Sequence, residues 1–418
     1  MSVIGIKKIL NNQLFVFLAS NYFVAALAMI STFVVAKILS GEDFGKIRIL
    51  IAVVTTANVL CTLSFNAAFL KLASGNADFY YVKKLYFSML NAILVFTLIV
   101  VLLLIFIEFI ISGFQLEITS FLFFITIFPM SVNLMQVSIL QAHNKFFDIS
   151  KLQAIAKIVS VSLLVVFSYY MGVVGYAIAN LLGVFILLII LYREVGYAFE
   201  FSKEIENQIE TLRPAWRISR YLFLYQVIRK VNLYLDFFIV GIFLNDEEVG
   251  SFALVLAFIA VLDVMISTVQ QKSAPVLSSR INSGVKWQEV ANKYHLINIS
   301  LVGISSLGMY FIVPELVKIL YQEKFTSFSE VFVLLLAAWS IRSFFAIDRV
   351  VLTSLGKTEI IYKIYIISLP FSILASLFFI TNYGISGAGI GSVTNSIIVG
   401  ALFTYYKKTE SLYEKFIS

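Results

Sequence analysis

Five charged residues stand in stretches of this chain that are otherwise apolar: Arg229, Lys230, Asp236, Asp263 and Arg342. The stretch 219–244, SRYLFLYQVIRKVNLYLDFFIVGIFL, holds three of them. Read as a membrane-spanning helix at ~1.5 Å per residue, it carries Arg229 ~14 Å into a hydrocarbon layer roughly 30 Å thick. An ionised side chain at that depth costs at least ~2.5 kcal/mol. Tyr225, Arg229, Asn232 and Asp236 follow at steps of 4, 3 and 4, so they share one helical face. Such a face must look into protein or water, not lipid. A buried Arg–Asp pair that only glues helices would satisfy this. A water-filled cavity that needs positive charge is the reading preferred here.

Guanidinium suits phosphate because its fork of donors binds two oxygens together. Arg229, Lys230 and Arg342 are therefore candidates for binding an anionic headgroup, with Arg48 at the outer mouth of the second span. Asp263 shares a face with Ser267 and Gln270 and is a candidate structural partner of Arg229 or Arg342. Asp236 and Asp263 are also positioned to carry a coupling proton or cation. Asn66, Asn133 and Gln136 add uncharged polar groups in the first half. No catalytic residue, cofactor or metal site is expected. His143 and His295 lack ligand neighbours at the usual spacing and fall at helix ends, and Cys61 is the sole cysteine.

The elements that must position these groups follow from composition. Apolar residues make up 60% of the 418, charged residues only 13%, and mean hydropathy is +0.95. A soluble domain carries about 25% charge, so an all-α integral membrane protein is expected. The net charge of +7 is dispersed among short loops, which speaks against nucleic acid. Apolar runs predict twelve spans: 14–37, 47–70, 84–107, 118–141, 148–170, 173–192, 219–244, 250–271, 294–314, 328–348, 360–380 and 384–406. The first is read as an uncleaved helix rather than a signal peptide. The polar stretch 193–218 divides the chain into a lobe at 1–192, a cytoplasmic linker and a lobe at 219–418. Lys and Arg fall 23 to 5 between the two sides, placing both termini in the cytoplasm.

The halves are related by sequence. A shift of 212 lays 142–178 on 354–390 with nine of 37 positions identical, among them Gly172 and Gly175 on Gly384 and Gly387. LSGEDFG (39–45) recurs as LNDEEVG (244–250). Six helices per copy leave both copies pointing the same way, a parallel repeat of two six-helix bundles with a central cavity expected near the midplane. The glycine pairs are read as short outer turns needing special dihedrals and close approach.

With these segments in hand a resemblance becomes visible. AKILSGEDFGKIRIL, SILQAHNKFFDISK, YLDFFIVGIFLNDEEVGSFALV, TVQQKSAPVLSS, LTSLGKTEIIYK and NYGISGAGIGSVTNS occur in this order from Ser20 to Lys408. They resemble the multidrug/oligosaccharidyl-lipid/polysaccharide exporter superfamily, in particular its O-antigen flippases. The resemblance implies no enzyme. It implies a monomeric, multi-pass flippase of the bacterial inner membrane, moving undecaprenyl-diphosphate-linked oligosaccharide to the periplasmic face by alternating access. Membrane lipids, the polysaccharide polymerase and the chain-length machinery are the implied partners. One departure stands out: apart from Arg48, the first bundle offers almost no buried cation. The alternatives are a cation-coupled multidrug exporter of the same architecture, or a membrane-embedded polymerase or glycosyltransferase. The slightly basic embedded charge argues against the first. The lack of a sizeable outer loop or clustered acids argues against the second.

Overall fold

The computed structural model describes residues 13–73, 78–111, 117–143, 145–196, 205–282, 287–322, 324–325 and 327–409. Among them every regular element is an α-helix. In chain order these are α1 (Gln13–Ile38), α2 (Gly41–Thr62), α3 (Phe65–Ala73), α4 (Phe79–Ile111), α5 (Ile118–Ile125), α6 (Ile127–Ala142) and α7 (Phe146–Val195). There follow α8 (Ile205–Phe243), α9 (Asp246–Asn282), α10 (Gln288–Tyr321), α11 (Phe328–Phe344), α12 (Ala346–Ser354) and α13 (Thr358–Thr409). The pairs α2–α3, α5–α6 and α11–α12 are broken single spans. The long α7 and α13 each fold back at one glycine into two, so the twelve expected spans are all present.

The hydrophobic logic is that of a bilayer, where no water competes for the backbone and helices satisfy their own hydrogen bonds. Apolar side chains point outward as well as inward. Leu102, Phe106 and Ile110 on α4 and Phe371, Leu374 and Phe378 on α13 are exposed, a surface made for lipid.

The chain forms two compact units. One comprises residues 1–39 and 50–230, the other 40–49 and 231–418. In the first, Phe65 and Phe69 of α3, Leu85, Met89 and Ile93 of α4 and Met135 of α6 make the core, which Ala215 of α8 joins. In the second, Phe328 stacks on Phe332 at 5.2 Å and meets Phe258 edge-on at 5.8 Å. Trp287, Ala291, Ile347 and Val351 form a further cluster there. Helix α8 begins at Ile205 and runs through Pro214, so helix already covers the latter part of the stretch read as a linker. Residues 193–195 of that stretch end α7, and 197–204 lie outside the described residues.

Two features carry the repeat into backbone geometry. Gly172 has φ 58°, ψ −134°, and Gly384 has φ 59°, ψ −138°, a conformation closed to side-chain-bearing residues. Three residues on, a Cβ at Gly175 would lie 2.0 Å from the Phe167 carbonyl oxygen, and one at Gly387 2.0 Å from that of Phe379. The glycine pairs do what the sequence asked of them: the first turns the chain and the second lets the returning arm pass against a carbonyl.

The second span is broken differently. Leu63 and Ser64, between α2 and α3, have φ of 49° and 55° and are both buried. Consecutive left-handed residues that bear side chains cost roughly 1–2 kcal/mol each.

Candidate functional site

Asp236 is the best-built polar centre among the described residues. It sits on the second-unit part of α8 and takes hydrogen bonds from both arms of α13. Ser376 Oγ donates to Oδ1 at 2.5 Å, and Ser392 Oγ donates to Oδ2. The two arms meet there because Gly391 admits close contact, a Cβ at that position falling 3.1 Å from Ser376 Cα. Ser372 Oγ extends the seam by donating to Asn395 Oδ1 at 2.5 Å. Arg342 lies within electrostatic range of the same carboxylate. Two hydroxyl donors and a nearby guanidinium compensate a charge that the span would otherwise leave unsolvated.

Arg342 is placed by a helix break. The chain leaves α11 at Phe345, whose φ and ψ of −88° and 10° are not helical, and restarts as α12. Side chains from other helices cover the carbonyls this frees. Asn298 Nδ2 donates to the Ser343 oxygen at 2.8 Å, and Gln270 Nε2 donates to that of Ala346 at 2.9 Å. Arg349 Nη1 reaches back toward the Arg342 carbonyl at 3.5 Å.

The remaining candidates are distributed as follows. Tyr225, Arg229 and Lys230 group with the first unit, Asn232 and Asp236 with the second, and all five lie on α8. The Arg229 side chain is exposed, while Tyr225, Lys230 and Asn232 are half-buried. Arg48 lies in the second-unit part of α2 with its guanidinium carbon 5.9 Å from the Phe44 ring centroid. Asp263 accepts a hydrogen bond from the Trp339 indole at 2.8 Å, which gives it a neutral donor of its own. In the first unit Asn133 donates to the Val184 carbonyl at 3.1 Å, joining α6 to α7.

Sequence reasoning missed Ser376 and Ser392, although Ser392 lies in the quoted GIGSVTNS segment and Ser376 is one helical turn beyond the repeat-matched Ser372. It also missed a cluster at one end of the second unit. Asp348 Oδ1 lies 3.3 Å from His295 Nε2 and 3.2 Å from Lys407 Nζ, tying α10, α12 and α13. Outside the spans, Lys145 Nζ donates to Glu194 at 2.8 Å, and that bond raises the lysine's pKa above its usual value.

The sequence pattern of the family described as polysaccharide biosynthesis protein matches residues 10–281. The chain belongs to this family. No curated protein sequence matches it. Among solved structures, the lipid II flippase MurJ in an inward closed conformation superposes with a TM-score of 0.78 at 16% identity, covering 96% of this chain and 89% of that one. An inward-facing multidrug-resistance transporter of the MATE family within the MOP superfamily gives 0.72 at 13% identity, covering 93% and 96%. A point mutant of the Vibrio cholerae MATE transporter VcmN gives 0.65 at 15% identity, covering 98% of each chain. At these identities the likeness establishes the fold. The family member described here is thus a multi-pass membrane protein with the architecture of MOP-superfamily transporters.

Proposed function

We propose that this polysaccharide biosynthesis family member is a flippase. It carries undecaprenyl-diphosphate-linked oligosaccharide, an O-antigen or similar repeat unit, from the cytoplasmic to the periplasmic face of the inner membrane by alternating access. The reading makes it a transporter and not an enzyme, monomeric, with both termini cytoplasmic and lobes at 1–192 and 219–418 joined by 193–218. The polymerase and chain-length machinery would receive its product.

The observation that carries the reading is Arg342, which extends from a capped helix break inside a span, on a chain of the polysaccharide family. A diphosphate suits such a group, whose fork of donors binds two oxygens together. Arg229, Lys230 and Arg48 are assigned to the same anionic headgroup. Asp236, with its serine hydroxyls and the charge of Arg342 nearby, is assigned to coupling: binding or losing a cation there changes the net charge around Arg342 and hence its hold on phosphate. Tyr225, Asn232 and Asp263 are assigned supporting polar roles.

The test is flipping of a fluorescent undecaprenyl-diphosphate oligosaccharide in proteoliposomes. Arg342→Ala and Arg229→Ala should each lower the rate at least about tenfold, as expected for the loss of a charge-assisted contact, with insertion unchanged. Full flipping in both variants would sink the cationic-site mechanism. The likeness to MATE transporters supports a second reading, cation-coupled drug export. Drug resistance on expression, with no flipping in vesicles, would establish that reading in place of the first.

A further inference from the structure

The first bundle reads from sequence as almost free of embedded cations, and the structure corrects this at Lys157. Lys157 stands on α7 eleven residues past Phe146, where that helix begins, and so ~16 Å along its axis. Steps of 7, 7 and 4 put Ser150, Lys157, Leu164 and Ser168 on one helical face, and its other three members are buried. The opposite face carries Ile155, Val159, Ser162 and Val166, all exposed, which is where α7 meets lipid. A membrane lysine ordinarily escapes burial by running its stem along apolar surface to the headgroups. Lys157 is half-buried on the side turned away from lipid, so that route is closed to it.

Two polar neighbours share its face at steps of 4 and 3, Gln153 before it and Ser160 after, both half-buried. Among the described residues none of the three makes a hydrogen bond or ion pair. Other serines of this helix behave differently. Ser150 Oγ donates to the Phe146 carbonyl at 2.9 Å and Ser162 Oγ to that of Ile158 at 3.0 Å, the usual recourse of a helical serine without a better partner. Nor do the helices packed against α7 match the charge, because α1, α5 and α6 contain no acidic residue. The repeat supplies a control. Under the shift of 212, Lys157 becomes Leu369 and Gln153 becomes Tyr365, while Ser160 becomes Ser372, whose hydroxyl donates to the Ser368 carbonyl and to Asn395. A lysine, an amide and a hydroxyl with unused hydrogen-bonding capacity are therefore particular to the first unit.

We infer that Gln153, Lys157 and Ser160 bind an acidic sugar of the transported oligosaccharide, the ammonium pairing with its carboxylate and the amide and hydroxyl with sugar hydroxyls on either side. The three run for ~10 Å along one helix face, the scale of a short oligosaccharide. A diphosphate is better served by forked guanidinium donors. One compact, rotatable ammonium between neutral donors and acceptors matches a single carboxylate among hydroxyls. An embedded cation is costly unless an anion meets it, so a substrate that brings the anion is bound more tightly than one that does not. The assignment rests on the flippase reading above and adds a substrate class to it, a repeat unit that contains a uronic or similar carboxylated sugar.

The test uses the full chain in proteoliposomes and two fluorescent undecaprenyl-diphosphate trisaccharides that differ only in one sugar, glucuronic acid or glucose. The wild type should half-saturate with the acidic probe at a concentration roughly tenfold to hundredfold lower, the worth of one charge-assisted contact. Lys157→Gln should bring the two concentrations together, and Lys157→Arg, which keeps the charge, should hold them apart. Equal half-saturation in the wild type overturns the assignment. So does a Lys157→Gln protein that loses affinity for both probes alike, which would assign the lysine to the diphosphate they share. If Lys157→Gln fails to insert, the wild-type ratio alone decides. Equilibrium binding of the same probes in detergent separates this inference from the transport reading. Preference for the acidic probe in a protein that flips neither upholds the sugar site and sinks the flippase, and flipping of both without preference does the reverse.

Discussion

The two units are copies by sequence, and their polar interiors differ in kind. The shift that matches 39–45 to 244–250 lays Ser31 on Asp236. Ser31 is buried and spends its hydroxyl on the Ala28 carbonyl one turn back, at 2.8 Å, reaching no other helix. Asp236 binds two serines on the partner arms. The same contrast recurs between the second and fourth spans of each copy. In the first unit Ser131 Oγ donates to Asn58 Oδ1 at 2.8 Å, whereas in the second the Trp339 indole donates to Asp263. At these matched positions one copy makes neutral pairs that a bilayer tolerates, while the other has carboxylates that accept from hydroxyl or indole donors. Duplication supplied a scaffold twice, and at these matched positions only the second copy carries an ionisable group.

The largest effect should come from abolishing that difference. Asp236→Asn removes the charge and keeps the shape, while Ser376 and Ser392 retain a carbonyl acceptor and can otherwise turn to their own helix, as Ser31 does. Transport should fall by at least about tenfold, the loss of one charged contact, while thermal unfolding in detergent moves by no more than about 1–2 kcal/mol. Normal flipping by Asp236→Asn would mean that the carboxylate is only structural and that the asymmetry has no functional content.

A second test asks where the copies should behave alike. Gly175→Ala and Gly387→Ala each drive a methyl to about 2.0 Å from a carbonyl oxygen, so something must shift. Each should cost roughly 3 kcal/mol or more of stability, the upper range for overpacking. Gly172→Ala meets no neighbour within 4 Å and carries only the dihedral penalty, about 1–3 kcal/mol. Unequal losses at Gly175 and Gly387, read from unfolding midpoints, would show that the backbone equivalence does not extend to packing.

These glycines also mark how much was legible beforehand. The period and length of the apolar runs fixed the spans, because a bilayer demands long helices, and the paired glycines announced both returns. Arg342 and Asp236 were visible as charges where charge is expensive. Their partners were not, since Ser376 and Ser392 are ordinary membrane residues until the fold sets them opposite a carboxylate. Asp348 was passed over because it falls near a span end, where a charge calls for no explanation, and its pairing with His295 and Lys407 is long-range. The Leu63–Ser64 break had no signal either. Neither residue favours left-handed backbone, and tertiary packing alone imposes it.

The smallest expected effect probes the seam at one repeat-matched position. Ser160 and Gly183 in the first unit correspond to Ser372 and Asn395 in the second. A Cβ on Gly183 would press to 2.3 Å from Ser160 Oγ, so the first copy closes this contact by size. The second closes it by the Ser372–Asn395 hydrogen bond. Asn395→Ala removes that bond, yet Ser372 Oγ keeps the Ser368 carbonyl at 2.9 Å, so no buried hydroxyl is orphaned. The cost should be about 0.5–1.5 kcal/mol, the net worth of one hydrogen bond. Gly183→Ala, by contrast, should cost about 1–3 kcal/mol through overpacking. If unfolding midpoints rank Asn395→Ala as the more damaging, the bond is holding Ser376 and Ser392 against Asp236, and the seam and the carboxylate form a single cooperative unit.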